Sequence, residues 1–165
     1  MTLYALKTFV YKTDYIDIIN QDTSSYLIDP YLILSIIKAE SNFNNNATSN
    51  KGACGLMQLM ENTASEIYSN LYNGEVLDKN KLYDERLNII LGTKYFSNLV
   101  KKYNGNYYIA TAAYNAGIGN VDKWILNGII DLNFDYKDID KIPYLETKNY
   151  TKNVINNYKM YKFLY

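Results

Sequence analysis

A carboxylate interrupts the apolar pattern of "YLILSIIKAESNFN", residues 31–44. On a helix, Ile33, Ile36, Ile37 and Glu40 fall at i, i+3, i+4 and i+7 and share one face. Glu40 therefore takes a place that the pattern assigns to the core. Burial disfavours the charged form and raises a carboxyl above its free pKa of about 4.3. A carboxylic acid kept protonated near neutral pH can act as a general acid. A glutamate in a last helical turn can also bend out to water or pair with a lysine, so position alone leaves both readings open.

Two further segments carry residue types suited to binding. In "GACGLMQLM", residues 52–60, two glycines release the backbone and Gln58 sits among Leu56, Met57, Leu59 and Met60. An amide within a thioether-rich apolar patch suits a sugar, whose ring faces bed on methionine and whose hydroxyl or N-acetyl groups meet the amide. The alternative is the start of a core helix with Gln58 exposed. In "TAAYNAGIGN", residues 111–120, small residues permit close helix packing, Tyr114 offers a stacking surface with a hydroxyl, and Asn115 and Gly117 end a helix. By itself this segment reads as a tight helix–helix contact.

The elements that must position these residues are helices. A short one is expected over Asp14 to Ser24, around Ile16, Ile18 and Ile19. Asp29-Pro30 supplies an N-cap and a first-turn proline, starting a helix that runs to about Ser41 or Asn42. A loop follows over 43–55. Asn62 or Thr63 is expected to cap a helix to about Tyr72, with Ile67 and Leu71 at i,i+4. Asp84 starts a longer helix with a stripe of Leu87, Ile90, Leu91, Tyr95, Asn98 and Leu99, closed near Asn104-Gly105. Asn106 caps a helix through Ala112 and Ala113 to Asn115, closed by Gly117. A short helix over Val121 to Leu126 carries Trp124. Residues 128–142 read as a linker, and Pro143 opens a last helix on which Tyr150, Val154, Tyr158 and Tyr161 or Lys162 recur. No strand pattern persists. The expectation is a single all-α domain over residues 1–165.

Composition excludes much else. A chain of 165 residues buries roughly 70% of its unfolded surface and needs no metal or disulfide staple. It has no histidine and one cysteine, Cys54, which removes Ser-His-Asp and Cys-His catalysis, His-ligated metals and thiolate zinc clusters. No phosphate-cradling glycine motif occurs. Proton transfer would fall to carboxylates, tyrosines or lysines. Seventeen basic residues balance seventeen acidic ones with no basic stripe, which argues against a nucleic-acid partner and leaves no electrostatic steering toward an anionic one. The run 31–37 is too short to span a bilayer, which takes about 20 residues. "MTLYALKTFVYKTDY" is broken by Lys7 and lacks a cleavage site, so it is not a secretory signal.

In order and spacing, Glu40-Ser41, Gly55-Leu56-Met57-Gln58, Ala113-Tyr114-Asn115-Ala116-Gly117 and "IPYLETKNY" (Ile142 to Tyr150) resemble the catalytic domain of the soluble lytic transglycosylases, glycoside hydrolase family 23, related in fold to goose-type lysozyme. The resemblance covers about residues 12–162 and implies a lysozyme-like helical domain with a substrate cleft. It implies Glu40 as sole acid/base and Ser49 as a substrate contact beside it. Gln58 and Met60 would line sugar subsites. Tyr114 would hydrogen-bond the Glu40 carboxyl, with the Ala113 backbone and Asn115 nearby, and Glu146 would bind an amino-sugar or peptide substituent. The implied partner is the glycan strand of peptidoglycan, with no cofactor or metal. Glu61 stands where the family usually has proline, which should only loosen the start of the next helix. Cys54 is a second departure and reads as a small packed residue.

Hydrolytic glycosidases usually use two carboxylates. The implied reaction manages with one. Glu40 protonates the oxygen joining N-acetylmuramic acid to N-acetylglucosamine and then takes the proton of the sugar's own C6 hydroxyl, closing a 1,6-anhydro ring without water. The alternatives are a lysozyme-type muramidase, a peptidoglycan-binding module without chemistry, and a helical interaction domain with no glycan. Nineteen tyrosines exceed what a core of this size requires, so some are expected to face glycan. Action in the cell envelope would call for a leader or anchor before Met1.

Overall fold

Asp29 begins the helix that the sequence marks most clearly: its carboxylate accepts from the Tyr31 N–H at 2.9 Å, with Pro30 at the first helical position. The computed structural model describes residues 2–165; Met1, the first residue of the expected domain, lies outside the described residues. Along the chain run α1 (Leu3–Ala5), a π-helical turn (Leu6–Val10), α2 (Ile16–Thr23), α3 (Pro30–Ser41), α4 (Glu61–Leu71), α5 (Glu85–Lys102), α6 (Tyr107–Ala116), α7 (Ile118–Leu126) and α8 (Leu145–Leu164). Short 3-10 turns lie at Ser24–Tyr26, Lys79–Tyr83 and Tyr136–Lys141. Only isolated bridges, Thr48 with Cys54 and Cys54 with Leu59, interrupt the helical pattern among the described residues. The fold class is all-α. The chain forms two compact units, residues up to Tyr95 with Asn157–Tyr165, and Phe96–Asn156, with the dividing lines inside α5 and α8.

In the first unit, α3 is buried on every side from Leu32 to Ile37. A helix that is apolar all round belongs in a core. Its one polar core residue, Ser35, donates its hydroxyl back to the Tyr31 carbonyl at 2.6 Å. Asp29 is held as well as holding: its second oxygen accepts from the Tyr158 hydroxyl at 2.9 Å and from Lys162 at 3.1 Å. Tyr11, Tyr31, Tyr161 and Tyr165 pile together, Tyr11 edge-on to Tyr161 at 5.3 Å and Tyr31 stacked with Tyr161 at 6.1 Å. The Tyr161 hydroxyl donates to the Lys12 carbonyl at 2.7 Å, and burial holds its pKa well above the usual range. Part of the tyrosine excess therefore fastens the N-terminal segment to the end of α8.

On α5 the buried residues are Asn88, Ile89, Leu91, Gly92, Thr93, Phe96 and Leu99. The expected stripe is therefore shifted: Leu91 and Leu99 belong to it, while Leu87, Ile90 and Tyr95 are half-exposed and Asn98 is exposed. Asn88 lies outside the expected stripe, and an amide is buried only where partners await it. Helix α4 begins at Glu61 with Met60 at its N-cap position, two or three residues ahead of the expected caps. Last, α8 begins at Leu145, beyond Pro143.

The second unit corrects the reading of 128–142. Ile130, Phe134, Ile139 and Ile142 are buried, and Asp135 and Asp138 form a capping box for the 3-10 turn. This segment is packed, and the Asn106 side-chain amide donates to the carbonyls of Leu132 at 3.1 Å and Phe134 at 2.7 Å. The same side chain accepts from the Tyr108 and Ile109 N–H groups, capping α6 as its sequence position requires.

Candidate active site

Glu40 lies in the last turn of α3, half-exposed, three residues after the buried run ends at Ile37. The facing argument from the sequence needs revision, because Leu34 and Ser35 on other sides of the helix are as buried as Ile33. Glu40 belongs to the half-exposed last turn, Lys38 to Ser41, that follows the buried run. The Ser41 hydroxyl donates to the Ile37 carbonyl at 3.2 Å, and Asn42, at φ 49°, turns the chain out of the helix.

From that helix end a hydrogen-bonded path crosses the loop. The Ser41 carbonyl accepts from the Asn44 N–H at 3.1 Å, the Asn44 carbonyl from the Ala47 N–H at 3.2 Å, and the Ala47 carbonyl from the Gly55 N–H at 2.9 Å. Gln58 joins the path: its Nε2 donates to the Ala47 carbonyl at 3.1 Å and to the Gly55 carbonyl at 2.9 Å. The amide nitrogen thus braces the loop, and Oε1 is the end of the side chain left for a ligand. The segment is neither the start of a helix nor a row of methionines open to a sugar. Met57 is wholly buried, and Met60 alone of the pair is exposed, at 47%. Ser49 accepts the Ala53 N–H on its hydroxyl at 3.0 Å and shapes the turn through Gly52. Cys54 is fully buried, with its Sγ 3.4 Å from the Gly52 carbonyl and from the Tyr83 hydroxyl.

The residue that sequence reading passed over is Asn88. Its Oδ1 accepts from the Met57 N–H at 2.8 Å, and its Nδ2 donates to the carbonyls of Cys54 at 3.1 Å and Leu82 at 2.8 Å. Two glycines allow this approach. A Cβ on Gly55 would stand 2.3 Å from Asn88 Nδ2, and one on Gly92 would stand 2.4 Å from the Met57 sulfur. The spacing of Asn88 and Gly92, one turn apart on one face, was the signal available.

In the second unit, Ala113 is fully buried and its carbonyl accepts from the Gly117 N–H at 2.9 Å. Tyr114 and Asn115 are half-exposed at the end of α6. The Tyr114 ring meets Phe96 edge-on at 6.1 Å. Asn115 Oδ1 accepts the hydroxyl of Thr147, 2% exposed, at 2.7 Å. This bond joins the Ala-Tyr-Asn-Ala-Gly segment to "IPYLETKNY". Glu146, singled out in the sequence, is exposed in the first turn of α8. Its neighbour Thr147, which the sequence reading left aside, does the joining. The Tyr144 hydroxyl reaches Asn120 Oδ1 at 3.3 Å, and its ring meets Trp124 edge-on at 5.1 Å. Glu40, Ser49, Gln58 and Met60 thus belong to the first unit, and Ala113, Tyr114, Asn115 and Glu146 to the second.

Comparison with known proteins gives the family of the chain. The family model described as the transglycosylase SLT domain matches residues 17–128. The soluble lytic murein transglycosylase of Escherichia coli K12 is 32% identical over 151 residues, 90% of this chain and 23% of that protein. Membrane-bound lytic murein transglycosylase C of Edwardsiella ictaluri is 34% identical over 115 residues, 65% of this chain and 32% of that protein. The crystal structure of the 70 kDa soluble lytic transglycosylase from Escherichia coli superposes with a TM-score of 0.85 at 30% identity, over 93% of this chain and 25% of that one. That likeness upholds the all-α, lysozyme-like class read from the sequence. The chain spans about a quarter of the length of the soluble relatives. No helix among the described residues is long and apolar enough to cross a membrane. With a family model covering most of its length, the chain belongs to the transglycosylase SLT-domain family.

Proposed function

We propose that this protein is a peptidoglycan lytic transglycosylase that cleaves the β-1,4 bond between N-acetylmuramic acid and N-acetylglucosamine and leaves 1,6-anhydro-muramic ends. The observation that carries the reading is the ending of α3: six buried residues, then a half-exposed last turn that carries Glu40, in a chain of the SLT family. Glu40 serves first as acid toward the glycosidic oxygen and then as base toward the C6 hydroxyl. Ser49, Gln58 through Oε1, Met60, the Ala113 backbone, Tyr114, Asn115 and Glu146 contact the glycan. Several other carboxylates of the first unit have structural occupations. Asp29, Asp78 and Asp84 accept N–H groups at helix starts, Glu85 accepts the Tyr15 hydroxyl, and Glu61 pairs with Lys79. A one-carboxylate mechanism is consistent with that. The substrate implies action in the cell envelope.

Mass spectrometry of purified peptidoglycan after incubation tests this, with Glu40→Gln run in parallel. Fragments with 1,6-anhydro-muramic ends that disappear with the variant are expected. Ordinary reducing ends would make the protein a hydrolase, and turnover retained by Glu40→Gln would remove Glu40 from the mechanism.

A further inference from the structure

We propose that Asn88 is a positioning residue for the lytic reaction, acting through the Cys54–Leu59 turn on Gln58 and on the end of the helix that carries Glu40. The inference rests on the lytic reading of this site. Three of the four hydrogen bonds that a carboxamide can make are used, all to backbone: two partners lie more than thirty residues away in sequence and the third six. Oδ1 takes the Met57 N–H, and Nδ2 gives its two protons to the Cys54 and Leu82 carbonyls. The side chain is fully buried. Met57 is the residue before Gln58, and Cys54 precedes Gly55, so the start and the middle of the turn that projects Gln58 are tied to one amide, while its far end, Leu59, is paired with Cys54 through the backbone. The path from Gly55 through Ala47 and Asn44 to Ser41 carries the constraint to the residue following Glu40. Gly55 and Gly92 have no side chain because the turn lies against Asn88 and α5 without room for one. A clamp of this kind holds an already folded loop in one register, which is what a group acting over ångströms requires. Misplacement by about 1 Å can cost on the order of 100-fold in rate.

Asn88→Asp separates positioning from stability. It keeps the acceptor for the Met57 N–H and sets an anion against two carbonyls. When protonated, the introduced carboxyl regains one donor. Turnover of peptidoglycan by the variant is measured relative to the wild type from acid to neutral pH, at temperatures where circular dichroism shows both folded. Hydrogen exchange of residues 54–59 is followed under the same conditions. The expected result is kcat lowered about 100-fold at neutral pH, recovering toward acid, with faster exchange at 54–59 and unchanged exchange in the buried run of α3, Leu32 to Ile37. Ile19→Val, in the α2 core, serves as a destabilised control and should keep its kcat. Asn88→Ser, which adds no charge, replaces Asn88→Asp if the latter folds only in acid. Wild-type kcat in the folded variant, or a loss no greater than the control shows, overturns the proposal. If the wild type itself releases no fragments, the lytic reading falls. Exchange at 54–59 then still decides the clamp, and protection unchanged by Asn88→Asp overturns it.

Discussion

The two motif-bearing regions are held in different ways. The turn from Cys54 to Leu59 has almost no regular structure, and its shape comes from a buried side chain, Asn88, and from glycines pressed against it. The segment from Ala112 to Gly117 is helix as far as Ala116, and its shape comes from the α6 ladder, a cap at Asn106 and a stop at Gly117. The first region depends on partners about thirty residues away. The second depends mainly on its neighbours, with one distant bond added from Thr147 to Asn115. A long-range clamp is lost all at once when one partner changes, while a helix end degrades by single hydrogen bonds.

Substituting the two glycines breaks this contrast most sharply. Gly55→Ala meets both a positive φ of 77° and three contacts below 3 Å, one of them to the Leu82 backbone. Gly117→Ala meets a positive φ of 83° with nothing within 4 Å. Strain and overpacking together predict a loss of about 4 kcal/mol for Gly55→Ala. Strain alone predicts about 2 kcal/mol for Gly117→Ala. Urea denaturation of both variants checks the order. Equal losses would mean that the packing of the first turn relaxes freely.

A smaller effect isolates the one distant bond of the second region. Asn115→Ala leaves the buried Thr147 hydroxyl without its acceptor and should cost about 1–2 kcal/mol. Adding Thr147→Val, which removes the orphaned hydroxyl, should restore most of that loss. A double-mutant cycle by thermal or chemical denaturation measures the coupling, and strict additivity would show that the bond contributes nothing.

The smallest effect concerns the departure at Glu61. It occupies the first position of α4, after Met60 at φ −71° and ψ 137°, a conformation suited to the residue before proline. Its ion pair with Lys79 is 3.0 Å long with both side chains about half-exposed, and such a pair contributes little. Glu61→Pro should therefore raise Tm by about 2 °C through the unfolded state. A fall in Tm would show that the Lys79 pair matters more than its exposure suggests.

Several parts of this molecule were legible in the order of its residues. Asp29-Pro30 starts α3, Asn106 starts α6, Gly117 ends it, and Asn104-Gly105 follows α5. Each of these is decided within a few residues, by a side chain reaching its own backbone or by a φ that only certain residues adopt. The order of the four motifs, and with it the family, was legible for the same local reason.

The tertiary structure decided what no local rule contains. The buried face of α5 includes Asn88, because the Cys54 and Leu82 carbonyls and the Met57 N–H meet it there. Gln58 turns its amide nitrogen inward to the loop. Residues 128–142 pack, because four apolar side chains find a core and Asn106 takes two of the carbonyls. Thr147, beside the more conspicuous Glu146, holds Asn115. A polar group is worth burying only where its partner stands, and the partner's place is set by the fold as a whole.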